Sequence, residues 1–130
     1  MNVLIDTSVW VDYFRSGKKT GVLDFLIDEN LIVTNDLILT ELIPFLKVKN
    51  QKPLISLLDQ IRRLSLTIIW SEIIELQIDC LRGGINGVGI PDLIIANNAI
   101  QNNTPIYALD GHFKLISTKT KLKLFDEKTK

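Results

Sequence analysis

The sequence predicts an α/β fold, a three-layer α/β/α sandwich with a central parallel sheet, on three observations. Short apolar runs alternate with segments of helical period along the whole chain, the pattern of β-α units joined by right-handed crossovers. The first run, Val3-Leu4-Ile5, has no polar interruption, as expected of a strand buried on both faces. Two runs, 2–5 and 106–109, are each followed directly by an aspartate, Asp6 and Asp110. In open parallel sheets ligands bind beyond the carboxyl ends of the strands, so both acids should open on one functional edge.

After the first strand a short helix is expected from about Val9 to Phe14, and Ser16-Gly17-Lys18-Lys19 reads as a turn before a helix over 22–28. Leu31 to Thr34 is the second strand. Asn35 or Thr34 caps a helix from Asp36 to about Lys47, and Pro44 should kink it. A helix over 52–63 and a β-rich third strand, Leu66 to Trp70, come next. Ser71 then caps a helix carrying Ile73, Ile74, Gln77, Cys80 and Leu81, which stops at Gly83-Gly84. Beyond the glycine-rich loop 83–89, read as a mobile connection, Pro91 opens a helix to about Gln101. Ile106 to Leu109 is the fourth strand, a short last helix follows Asp110, and the alternating stretch Lys121 to Phe125 reads as a fifth, edge strand.

The 130 residues fit one domain spanning 1–130, long enough to bury about two-thirds of its unfolded surface. Hydrophobic residues make up 46% and charged ones 23%, so autonomous folding around one core is expected rather than disorder. No uncharged apolar run approaches the roughly 20 residues of a membrane helix. Asp6 and Asp12 interrupt any secretory leader, so a cytoplasmic location is expected. Cys80 is the only cysteine, which excludes an intrachain disulfide and a cysteine-based zinc site. Fifteen basic and fifteen acidic residues cancel, leaving no global field to attract nucleic acid. The six lysines between Lys114 and Lys130 read as a solvated tail.

Four acids are candidates for chemistry. Asp6 emerges from the first strand, although it could equally cap the following helix. Glu41 shares a helical face with Leu37, Ile38 and Phe45, so its carboxylate is expected to point into the domain, toward catalysis or toward a structural ion pair. Asp92 sits in a first helical turn, where the dipole alone favours an anion by about 0.3–1 kcal/mol. Asp110 emerges from the fourth strand. Gathered together, four carboxylates repel unless protons or a cation compensate. A hard divalent ion answers that need, and magnesium or manganese bound there can polarise a phosphate and activate water.

At these residues the sequence resembles the PIN domain, and most closely the VapC-like toxin ribonucleases. The likeness runs through Ile5-Asp6-Thr7-Ser8-Val9-Trp10-Val11-Asp12-Tyr13-Phe14-Arg15, then Leu39-Thr40-Glu41-Leu42, then Gly89-Ile90-Pro91-Asp92-Leu93-Ile94-Ile95-Ala96, and finally Leu109-Asp110-Gly111-His112-Phe113. It departs at Ala108, where the family often has a serine or threonine. The resemblance implies a metal-dependent endoribonuclease with Asp6, Glu41, Asp92 and Asp110 as catalytic residues. Asp6, Asp92 and Asp110 would hold Mg2+, with Mn2+ able to substitute, and Glu41 would orient or deprotonate the attacking water. Thr7, Ser8 and His112 would support them from behind; His112 could contact phosphate or metal, although a lone histidine in a turn is more often structural. It further implies single-stranded or structured RNA as substrate, a cognate antitoxin whose C-terminal segment fills the cleft, and a homodimer.

Two other classes compete with this reading. A phosphatase of the haloacid dehalogenase type needs a second aspartate two residues after the first, where Ser8 stands. A PIN-like module acting only through protein or RNA binding should have lost a carboxylate, and all four are present. Cleavage specificity would depend on where Arg15, Lys18, Lys19, Lys47 and Lys49 project.

Overall fold

A computed structural model describes residues 1–126 of the chain. Its sheet is built on β1 (Val3–Ile5), which pairs on one side with β2 (Ile32–Thr34) and on the other with β4 (Ile106–Tyr107), while β3 (Arg62–Arg63) adds to the far side of β2. All pairings are parallel, with Leu4 opposite both Val33 and Ile106. Val3, Leu4 and Ile5 are completely buried, as a central strand covered on both faces requires. Seven helices flank the sheet: α1 (Thr7–Arg15), α2 (Val22–Asp28), α3 (Asp36–Val48), α4 (Lys52–Asp59), α5 (Trp70–Arg82), α6 (Ile90–Gln101) and α7 (Gly111–Lys119). The expected α/β/α arrangement is therefore what the chain forms. None of the described helices is long and apolar enough to cross a membrane.

The strand order β3-β2-β1-β4 makes function local. The chain leaves β1 toward β2 and β3, then returns to place β4 on the opposite side of β1. The connections after β1 and β4 therefore part at their carboxyl ends and open a crevice between them. Asp6 and Asp110 each follow one of these two strands.

Three expectations need correction. Leu66 to Trp70 is not a strand. The third strand is Arg62–Arg63, continued by a bond from Leu64 N–H to Thr34 carbonyl at 2.8 Å. An edge strand exposed on both faces has no need of apolar residues, so composition pointed to the wrong segment. The carbonyls of Ser65 and Thr67 are bound instead by Asn98 and Gln101 side chains of α6, which holds this stretch away from the sheet. Ser71 does not cap α5, whose N-cap is Ile69, and α4 ends at Asp59 rather than Arg63.

The expected edge strand 121–125 contracts to one parallel bridge, Ile106 with Leu124. Backbone bonds link Ile106 N–H to Lys123 carbonyl (3.0 Å) and Phe125 N–H to Ile106 carbonyl (2.8 Å). Of the lysine-rich stretch 114–130, residues 127–130 lie outside the described residues. By contrast Asn35 caps α3 as expected, its Oδ1 accepting from Ile38 N–H at 2.8 Å. α3 runs on to Val48 with Pro44 inside it.

Candidate active site

The buried half of the site grows directly from β1. Asp6 N–H bonds to Tyr107 carbonyl across the sheet, and the chain then turns at once into α1. Asp6 is the N-cap of that helix, so the capping and site readings of this residue describe one side chain. Its Oδ2 accepts from Ser8 N–H at 3.0 Å and from Ser8 Oγ at 2.6 Å. Only 4% of Asp6 is exposed. Burial pushes its pKa up, the Ser8 hydrogen bonds pull it back, and the nearby charge of Glu41 adds to the rise.

Ser8 does more than support Asp6. Its Oγ also accepts from the backbone N–H groups of Leu109 (2.9 Å) and Asp110 (3.3 Å). One hydroxyl thus ties the segment after β1 to the segment after β4 and fixes Asp6 relative to Asp110. Thr7, on the other flank, donates from Oγ1 to Glu41 Oε1 at 2.7 Å.

Glu41 does not point into the domain as its sequence neighbours suggested. The buried arc of α3 is Ile38, Leu39, Leu42 and Leu46, and Glu41 lies beside that arc with its side chain exposed. Phe45, expected inside, is 64% exposed. Glu41 and Phe45 line a cleft of about 610 Å3 with Val11, Phe14, Leu46 and Leu54, and Arg15 and Lys49 also line it.

The second half of the site joins α6 to α7. Asp92 occupies the first turn of α6 and Asp110 is the N-cap of α7, its Oδ1 accepting from His112 N–H at 2.8 Å. The His112 ring reaches back across the gap, with Nδ1 2.9 Å from Asp92 Oδ2 and 3.5 Å from Asp110 Oδ1. The hydrogen bond to Asp92 raises the His112 pKa first and the charge of Asp110 second, with desolvation opposing both. One ligand atom from each of Asp92, Asp110 and His112 lies within 4.8 Å of the other two. Two carboxylates and an imidazole at such separations match the donor set of a divalent cation.

The structure therefore brings the sequence-derived residues together as two linked groups. Asp6, Thr7, Ser8 and Glu41 form one; Asp92, Asp110 and His112 form the other; Ser8 connects them. Trp10 is fully buried and stacks on Phe14 at 5.5 Å.

Sequence reasoning missed the buried polar net that holds the helices carrying the acids. Asn35 Nδ2 donates to Asn98 Oδ1 at 2.9 Å, and Asn98 Nδ2 donates to Ser65 carbonyl at 3.0 Å. This fastens the start of α3 to α6. Asn97 and Gln101 of α6 both donate to Glu72 Oε1 of α5. The available signal was Asn97-Asn98, two amides inside an otherwise apolar helix, where an unpaired polar group is costly.

These features define a class of protein, an α/β domain whose acids cluster at a sheet switch point, and comparison supplies the family. The PIN domain family model matches residues 3–119, and the chain belongs to that family, whose members are nucleases. Its fold is similar to that in the crystal structure of VapBC2 from Rickettsia felis bound to a DNA fragment from their promoter, at 22% identity and a TM-score of 0.76, covering 96% of this chain and 98% of that one. It is also similar to VapBC-1 from nontypeable Haemophilus influenzae, at 18% identity and a TM-score of 0.74, covering 97% and 98%. FitAcB from Neisseria gonorrhoeae matches at 18% identity and a TM-score of 0.70, covering 95% and 96%. No curated protein sequence matches the chain.

Proposed function

We propose that this protein is a single-domain, metal-dependent endoribonuclease that hydrolyses RNA phosphodiester bonds in the cytoplasm, as the toxin of a type II toxin-antitoxin pair. The observation that carries the reading is the meeting of Asp92, Asp110 and His112 within 4.8 Å at the sheet edge where Asp6 also ends. Asp6, Asp92 and Asp110 would hold magnesium, or manganese in its place. When bound, the ion would polarise the phosphate and lower the pKa of a water.

The chain's own residues do the rest. Glu41, oriented by Thr7 Oγ1 at 2.7 Å, orients the attacking water and accepts its proton. Ser8 holds Asp6 and the Asp110 backbone at fixed separation, so the acids enter the reaction already positioned. Arg15 and Lys49, which line the cleft beside Glu41, are placed to meet backbone phosphates. That cleft, apolar within, suits the C-terminal segment of an antitoxin, and a homodimer is part of the same reading. The fold likeness to VapBC2, VapBC-1 and FitAcB supports the toxin role.

Cleavage of single-stranded RNA in magnesium, in manganese and in excess EDTA tests the proposal. Cleavage that requires either ion supports it, and undiminished cleavage in EDTA overturns it.

A further inference from the structure

We infer that His112 Nδ1 is a direct ligand of the cation held between Asp92 and Asp110, making a mixed nitrogen and oxygen site that takes Mn2+ in preference to Mg2+. This rests on the nuclease reading above and specifies its metal.

Three observations carry it. First, spacing: Nδ1 lies 2.9 Å from Asp92 Oδ2 and 3.5 Å from Asp110 Oδ1. Adjacent ligands around an ion with bonds of about 2.1 Å stand roughly 3 Å apart, close to both separations of Nδ1, and the three donor atoms all lie within 4.8 Å of one another. Second, the ring has no other employment. Its side chain is 43% exposed, so it is not a core histidine, and the capping of α7 falls to the Asp110 carboxylate rather than to the ring.

Third, the local charge is one-sided. Among the described residues neither Asp92 nor Asp110 pairs with a lysine or arginine, and His112 is the partner of both. Nδ1 and Asp92 Oδ2 stand 2.9 Å apart, and an ion bound there would lie between the same atoms.

The choice of ion follows from donor chemistry. Mg2+ favours oxygen ligands and gives up its waters reluctantly, whereas Mn2+, a first-row transition ion at the weak end of the series that prefers imidazole, accepts a nitrogen donor beside its oxygens. Replacing one oxygen donor by Nδ1 therefore shifts preference toward Mn2+, and removing the nitrogen should remove the preference.

The sequence contains one histidine, so any imidazole nitrogen coupled to a bound Mn2+ belongs to His112 when the protein carries no affinity tag. Electron spin-echo spectroscopy of the untagged 130-residue chain loaded with Mn2+ reads that coupling. Calorimetric titration with Mn2+ and Mg2+ gives the ratio of affinities. The expected result is nitrogen modulation in the wild type, its loss in His112→Gln, and a fall of about tenfold in the Mn2+ over Mg2+ ratio for that variant. Bound Mn2+ without nitrogen modulation in the wild type overturns the inference and leaves the nuclease reading standing, with no appeal to the variant. An unchanged affinity ratio in His112→Gln also overturns it. Failure of the wild type to bind either ion removes both this inference and the metal-dependent reading beneath it.

Discussion

Asp6 and Asp92 stand on one sheet edge in opposite surroundings. Asp6 is buried, held by a serine hydroxyl and a backbone N–H, and burial raises its pKa. Asp92 is partly exposed and paired with an imidazole whose own pKa is raised by the contact. Both titrations run in the same direction. A raised acid contributes most below its unfolded value of 3.8 and loses that contribution as pH climbs through its folded value; a raised histidine does the same above 6.5. The metal-free edge therefore loses stability twice on the way from acid to mildly alkaline conditions. Half of its charge is balanced by a ring that can yield to a cation, and the other half, Asp6 with Glu41, has no lysine or arginine partner among the described residues. A cation bound at neutral pH relieves both.

The largest expected effect breaks the chemistry without breaking the fold. Asp92→Asn should lower RNA cleavage on the order of a thousandfold, since metal polarisation contributes several kcal/mol to such reactions. Its folding stability in EDTA should stay within about 1 kcal/mol of wild type, because only a partly exposed pair with His112 is lost. Surviving cleavage in a variant that melts lower would make Asp92 a helix-stabilising acid instead.

A smaller effect tests whether the two halves share one scaffold. Asn98→Ala strips the acceptor from the buried Asn35 amide and should cost about 1–3 kcal/mol in urea denaturation. An unchanged midpoint would show that the polar net between α3 and α6 is dispensable.

The smallest effect lies away from the edge and serves as a control on the pH argument. Tyr13 donates to Asp24 Oδ1 at 2.5 Å, and that bond, ahead of burial and nearby charge, pushes its pKa up to about 12. Its contribution is fully present below pH 10 and is lost as pH rises through the folded value. Tyr13→Phe should therefore match wild-type melting above that range and fall below it, by a few tenths of a kcal/mol to about 1 kcal/mol, at neutral pH. Tyrosinate absorbance at the ordinary pH in the wild type would contradict this.

The sequence was most legible where one local rule decided the outcome. The apolar run 3–5 pointed to a buried strand, a cap at Asn35 or Thr34 was expected and Asn35 supplies it, and an aspartate after each of two parallel strands was expected at the same edge. It was least legible where a distant partner decided. Residues 66–69 have strand composition, yet Asn98 and Gln101, some thirty positions later, bind the carbonyls of Ser65 and Thr67 and hold this stretch away from the sheet. Of the face that Glu41 shares with Leu37, Ile38 and Phe45, only Ile38 belongs to the buried arc, which continues through Leu39, Leu42 and Leu46 and leaves Glu41 beside it. His112 could not be paired from sequence at all, since its contact to Asp92 spans twenty positions and depends on how α6 meets α7.

The most direct measurement is the melting of Asp6→Asn beside wild type, once in EDTA and once in saturating Mn2+, at neutral pH. Asparagine keeps the N-cap and accepts the same Ser8 bond, while removing a buried charge. In EDTA the variant should melt higher than wild type, by on the order of 1 kcal/mol. In Mn2+ the order should reverse, because ligand at a hundred times its dissociation constant stabilises the wild type by about 2.7 kcal/mol and the variant has lost a ligand. A variant that melts lower in both conditions by the same amount would contradict the account, since Asp6 would then be a structural cap with no part in holding a cation.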